Sequence, residues 1–194
     1  MKSPRSARLA AAAAAVGALG LMGAAPAHRT AVFAGGCFWS VEHDLEHLPG
    51  VKDVVVGYAG GKRANPTYRD HAGHLEAVKV TYDPAAISYP ELVDGFLHHI
   101  DPTDGGGQIC DRGPSYRTAV FVASPQERQA AEAAKAKAAR ELKKPVATMV
   151  LPASRFWLAE GYHQDFARKN PVRYNAYRVG CGRDARLKAV WAGR

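Results

Sequence analysis

The stretch "VFAGGCFWSVEHDLEHL", Val32 to Leu48, sets Cys37 directly after Gly35-Gly36 and directly before Phe38-Trp39. A short apolar run precedes the cysteine and an amphipathic pattern follows it, so Cys37 falls at a strand-to-helix junction as the first residue of the helix. Unpaired N–H groups and the positive end of the helix dipole favour thiolate there and lower the thiol pKa. The glycines permit a tight turn that leaves the sulfur uncovered, and the two rings supply an apolar wall beside it. From position alone, a nucleophile and a structural cysteine packed among core aromatics fit equally well.

Two more cysteines, Cys110 and Cys181, complete the set. Residues 1–27 carry Lys2, Arg5 and Arg8, then a small-apolar run from Leu9 to Ala25, and close on Ala25-Pro26-Ala27. This is the pattern of a secretory signal peptide with cleavage after Ala27, and it places the protein outside the cytoplasm, in the periplasm or beyond, with no stable membrane insertion once cleaved. In an exported chain an odd cysteine count leaves a thiol free unless pairing is intermolecular, and a disulfide that forms and breaks during turnover is the chemistry of interest. No C-x-x-C pair suggests zinc or a thioredoxin-type motif. His43 and His47 share a helix face and His98-His99 are adjacent, but no acid or thiol of fitting spacing joins either pair, so no metal is expected.

The elements that must position these groups follow from periodicity. "TAVFA" is a strand, and "CFWSVEHDLEHL" is a helix with Phe38, Val41, Leu45 and Leu48 on one face, ended by Pro49-Gly50. "VKDVVVGYAG" and "HLEAVKVTYDP" are the second and third strands, "SYPELVDGFLHHI" a helix and "YRTAVFVAS" a fourth strand. Ser124, Pro125 and Glu127 open the strongest helix, "VATMVLP" is an edge strand, and "AEGYHQDFARKN" is a last short helix before an irregular C-terminal tail. The order β-α-β-β-α-β is a split βαβ pattern, so the expected fold is α/β, a ferredoxin-like two-layer sandwich. Residues 28–194 form one domain and act as a monomer, with no internal repeat or linker. The formal net charge is +8, of which the three basic residues of the N-terminal segment account for three. The remaining excess is spread along the chain, densest in "RELKK" and "KNPVR", which suits solvated helix ends rather than a nucleic-acid surface.

The motifs "GGCFW", "VGYAGG", "NPTY", "GHLEAVKVTYDP", "HHIDPT", "DRGPSYRTAVF" and "AEGYHQDF" occur in the order found in the A-type peptide methionine sulfoxide reductases, and the chain resembles that family from Val32 to Phe166. The resemblance implies that Cys37 attacks the sulfoxide sulfur of methionine-S-sulfoxide, protein-bound or free, and that Phe38 and Trp39 hold the substrate's S-methyl group. Tyr58, Glu76, Asp111 and Tyr116 then form the polar set around the sulfoxide oxygen. Attack at sulfur puts negative charge on that oxygen, so a proton donor is required, and Glu76 is the candidate acid. Cys37 is left as sulfenic acid. Cys181, between Gly180 and Gly182, resembles the C-terminal recycling cysteine of many members and is the expected resolving thiol. Cys110, next to Asp111, is its competitor, in surroundings better suited to packing.

The family further implies a thioredoxin-like reductant and no bound cofactor. The chain departs from many members in a short segment, Arg69 to Ala72, after "NPTY", and in Leu75 where a small residue is usual. Two other classes remain to be tested: a cysteine hydrolase using Cys37 and His74, and a non-enzymatic binding module of ferredoxin-like shape.

Overall fold

A computed structural model describes residues 28–192 of the chain; the expected signal peptide lies outside them. Strand β1 (Arg29–Ala34) alternates as its sequence requires, with Ala31 and Phe33 facing one side of the sheet and Val32 and Ala34 the other. The chain then forms α1 (Phe38–Leu45), β2 (Val51–Ala59), β3 (Leu75–Tyr82), α2 (Tyr89–His98), the short strands β4 (Gly107–Gln108) and β5 (Asp111–Arg112), and β6 (Ala119–Val122). Helix α3 (Pro125–Leu142), β7 (Met149–Pro152) and β8 (Trp157–Leu158) follow.

The main sheet has the order β7-β6-β1-β3-β2-β8. Strand β1 pairs antiparallel with both β3 and β6, β2 pairs antiparallel with β3 and β8, and β7 runs parallel to β6. The expected β-α-β-β-α-β order is therefore observed in β1-α1-β2-β3-α2-β6, and the expected edge strand is β7.

One face of the sheet carries the main core. Phe33, Val56, Val78 and Val80 are fully buried there with Leu45 of α1 and Leu92, Phe96 and Leu97 of α2, and Phe33 stacks on Phe96 at 4.6 Å between ring centroids. Burying such side chains stabilises the fold by about 1.5–3 kcal/mol each. Ala34, Ala59, Ala77 and Phe121 form a smaller cluster on the other face.

The helix caps follow local rules. Ser88 and Glu91 make a reciprocal capping box at α2, and the Ser124 hydroxyl accepts the Glu127 N–H at 3.1 Å at α3. The expected helix over "AEGYHQDFARKN" shortens to α4 (Phe166–Lys169), because the residues before it hydrogen-bond as an irregular segment. The expected irregular tail is instead two helices, α5 (Pro171–Gly180) and α6 (Arg183–Trp191). Each buries few residues, so neither shows an apolar stripe in the sequence. Polar tethers hold them: Asp44 of α1 receives Arg178 at 2.7 Å and Arg183 at 3.1 Å, Asp101 receives Arg186 at 2.7 Å, and the Trp191 indole N–H donates to the Ile100 carbonyl at 3.1 Å.

Candidate active site

Cys37 is the N-cap of α1, one place earlier than expected, and its carbonyl accepts from Ser40 and Val41. Gly36 sits at φ +86°, where a Cβ would come within 2.5 Å of the Gln108 side chain, so the turn requires glycine on both conformational and steric grounds. The turn points the Cys37 sulfur into a cavity of about 250 Å³ whose lining includes Phe38, Trp39, Glu76 and Tyr116. A larger groove of about 690 Å³ between α2 and α3 contains no thiol.

The pattern of β3 brings Glu76 to this cavity. It faces the helical side of the sheet with Val78 and Val80, is 1% exposed, and lies beside Tyr58 in the β2–β3 register. Its Oε2 accepts the Phe38 N–H at 3.0 Å. Burial first, and the nearby Asp111 charge, push its carboxyl up to about 8 even though that N–H pulls the other way. A carboxyl in this state is protonated at neutral pH and can give a proton.

The Cys37 thiol departs from the sequence expectation. Burial, the Glu76 charge and the Asp111 charge push it up to about 12, outweighing the nearby Tyr177 hydroxyl and Trp39 N–H, which favour the thiolate. The helix N-terminus is present, but the site is too dry and too acidic for it to prevail. Cys37 and Glu76 thus form a protonated pair at rest.

Asp111 and Tyr116 also reach the cavity. Burial raises the Asp111 carboxyl, and its Oδ2 accepts the Tyr177 hydroxyl at 2.5 Å. Tyr58 is placed differently: its ring lies 5.9 Å from that of Phe38, but its hydroxyl donates to Glu160 at 3.0 Å. Tyr68 of "NPTY" and Tyr177 of α5 line the cavity, and the sequence reading passed over both. The tyrosine of "NPTY" was the available signal for the first. For the second there was none, because α5 itself was not foreseen.

The "AEGYHQDF" motif builds the wall behind the rings. Glu160 accepts the Tyr58 hydroxyl and the Tyr68 N–H, and His163 Nδ1 accepts the Trp39 indole N–H at 3.1 Å. The Gln164 side chain accepts from Val56 N and donates to Val56 O, both at 2.9 Å, bonding as an added piece of sheet. Trp39 stacks on Phe166 at 3.7 Å, and Glu42 accepts the N–H groups of Asp165 and Phe166.

His74 does not reach Cys37 as a base. Its Nδ1 accepts the Gly61 N–H and its Nε2 donates to the Arg63 carbonyl at 2.9 Å, so both ring nitrogens are engaged by backbone. Cys181, the C-cap residue of α5, is bridged to Cys110 with Cα atoms 5.3 Å apart, and Cys37 is free. Cys110 is exposed and bonded, not a packing residue as its surroundings in the sequence suggested.

A free cysteine at a helix cap beside a buried, raised carboxyl, with the chain's other two cysteines joined in a disulfide, is the arrangement of a thiol-dependent oxidoreductase. The chain belongs to the family described as Peptide methionine sulfoxide reductase, whose profile matches residues 29–194. It is 57% identical over 175 residues to Peptide methionine sulfoxide reductase MsrA 2 of Caulobacter vibrioides, covering 88% of this chain and 89% of the relative. Among solved structures it is similar to methionine sulfoxide reductase A of Corynebacterium diphtheriae, at TM-score 0.67 and 34% identity over 77% of this chain and 78% of the other. It is also similar to reduced Mxr1 of Saccharomyces cerevisiae, at TM-score 0.70 and 30% identity over 75% and 87% of the two chains. The protein is an enzyme that reduces methionine sulfoxide.

Proposed function

We propose that the enzyme reduces the S epimer of methionine sulfoxide, protein-bound or free, with Cys37 as nucleophile and Glu76 as acid. The observation that carries this reading is the Glu76 carboxylate, buried, raised to about 8, and hydrogen-bonded to the residue after Cys37. Phe38 and Trp39 receive the S-methyl group. Cys37 sulfur attacks the sulfoxide sulfur while Glu76 protonates the sulfoxide oxygen, with Asp111 and Tyr116 as the polar surroundings. The oxygen, carrying the proton from Glu76, transfers to Cys37 as its sulfenic acid, methionine leaves, and the Cys37 thiol proton passes to Glu76 and restores its carboxyl, so the step is balanced without an added reductant. Tyr68 and Tyr177 line the cavity, whereas Glu160 holds the Tyr58 hydroxyl.

A second thiol then displaces water from the sulfenic acid, and exchange leaves the Cys110–Cys181 disulfide with Cys37 regenerated as thiol. Cys181 is the resolving residue in this scheme and Cys110 its exchange partner. The exposed Cys110 sulfur is the point of attack for a thioredoxin-like dithiol, and no bound cofactor takes part. Residues 1–27 direct export, so this donor belongs to a membrane-linked relay outside the cytoplasm. Among the described residues no helix is long and apolar enough to cross a membrane. In this reading the enzyme acts as a monomer.

The test is reduction of N-acetyl-methionine-S-sulfoxide with dithiothreitol, the R epimer serving as control. Turnover of the S epimer alone is expected. Equal turnover of both epimers overturns the stereochemical assignment, and ester cleavage in place of reduction overturns the reaction.

A further inference from the structure

We propose that, once the Cys110–Cys181 bond is reduced, these two sulfurs and the Asp111 carboxylate bind one thiophilic divalent cation of the zinc class. One ligand atom from each of the three residues lies within 4.8 Å of the others. The sequence hides this set, because Cys110 and Cys181 are 71 residues apart. A tetrahedral zinc site with Zn–S bonds of about 2.3 Å needs its sulfurs about 3.8 Å apart. Cα atoms 5.3 Å apart allow that separation through side-chain rotation once the bond opens.

The three donors stand on fixed supports. The short hairpin β4–β5 carries Cys110 and Asp111, and Gln108 anchors it by accepting the Asp101 N–H at 2.8 Å and donating to the Asp101 carbonyl at 3.0 Å. Cys181 lies at the corner between α5 and α6, where Arg178 and Arg183 flank it and both bind Asp44. Donors already in place lower the ordering cost of taking up an ion. The Tyr177 hydroxyl donates to Asp111 Oδ2 and so orients the carboxylate, the kind of outer partner that metal-binding carboxylates use. Two thiolates and a carboxylate more than neutralise a divalent ion, and the buried Arg183 guanidinium, close enough to act on Asp111, offsets the excess negative charge. Exposure of Cys110 gives the ion an entry path from solvent.

Binding exchanges two thiol protons for the cation and changes no oxidation state. Ion and disulfide exclude each other: the oxidised enzyme takes up no ion, and the loaded reduced enzyme withholds both recycling thiols. That last consequence rests on the proposed recycling scheme, whereas binding itself does not.

The experiment is a titration of reduced, full-length protein, freed of reductant under anaerobic conditions, with Co²⁺ and then Zn²⁺. One equivalent of Co²⁺ is expected to give a sulfur-to-metal charge-transfer band that Zn²⁺ displaces. Cys37→Ser should keep the band, Cys110→Ser and Cys181→Ser should each lose it, Asp111→Asn should weaken binding by about tenfold or more, and the disulfide-oxidised protein should show none. A band that survives Cys181→Ser, a band lost with Cys37→Ser, a band in the oxidised protein, or no stoichiometric band at all overturns the proposal. Sulfoxide reduction by the metal-free enzyme with dithiothreitol, measured alongside, shows separately whether the reductase reading stands.

Discussion

The Glu76 carboxylate accepts the backbone N–H of Phe38 at 3.0 Å, so a buried acid on β3 is tied to the residue that follows Cys37 on α1. Substrate entering the cavity meets the sulfur and the acid together. Glu76→Gln is expected to slow the first chemical step by about 10²–10⁴-fold, since an amide hydrogen-bonds but does not deliver a proton as a carboxyl does. In the wild type that step should slow as pH rises through about 8, where Glu76 loses its proton, and the variant should lose this dependence. Single-turnover release of methionine measured across pH tests both statements; a variant as fast as wild type removes Glu76 from the acid role.

Cys37→Ser should abolish sulfoxide reduction, because a hydroxyl is a poor nucleophile at sulfur. The same acid holds the Cys37 thiol high through its charge, second only to burial. Iodoacetamide should therefore modify Cys37 slowly at neutral pH in the form with Cys110 and Cys181 bridged, and faster at pH 9 in Glu76→Gln than in wild type at pH 9. Mass spectrometry of alkylated peptides reads the ratio, and an unchanged rate would remove the electrostatic link.

Recycling separates the other two cysteines. Cys181→Ser should release about one methionine per enzyme in a burst and then stall with a thioredoxin-type donor, which needs a disulfide to attack. Since Cys110 is Cys181's partner in the structure, Cys110→Ser should also slow the donor-supported rate while leaving the burst intact. Full steady-state turnover by Cys110→Ser would confine the exchange to Cys37 and Cys181.

Asp44 holds the α5–α6 corner through Arg178 and Arg183. Asp44→Asn leaves the buried Arg183 without its carboxylate, and removal of one partner of a buried ion pair costs about 3–5 kcal/mol. The expected result is a lowered Tm and a donor-supported rate reduced more than the burst, because the corner that carries Cys181 loosens while the cavity around Cys37 keeps its sheet and α1. Equal loss in both phases would show a general unfolding effect instead.

Two buried carboxyls with large upward shifts lower stability as pH rises, opposed by the smaller downward shifts of His43 and His163. Glu42 is raised from 4.5 to about 7 and Glu76 from 4.5 to about 8, burial being the largest cause for each. Between these values the folded chain retains protons that the unfolded chain has released, so stability falls as pH rises. The Tm should drop between about pH 5 and about pH 8, and Glu42→Gln should flatten the drop. Scanning calorimetry checks it; a Tm that climbs over this range contradicts the assignment.

Local rules made much of this molecule legible in its sequence. Alternation in "TAVFA" and "HLEAVKVTYDP" set β1 and β3, Ser88 and Ser124 marked the starts of α2 and α3, and two glycines before Cys37 marked the turn that presents it. Those signals depend on neighbours within a few residues, which a sequence displays directly. Tertiary structure alone decided the rest. The side of the sheet on which Glu76 lies, and hence its protonation, depends on α1 packing over β3. The rise of the Cys37 thiol depends on burial and on charges from β3 and β5. The tail became helical because Asp44 and Asp101, far away in the chain, supply charge to its arginines, while its own residues bury too little apolar area to show a stripe. Pairing of Cys110 with Cys181 followed from the same docking, since sequence counts cysteines but only a folded chain brings two Cα atoms to 5.3 Å.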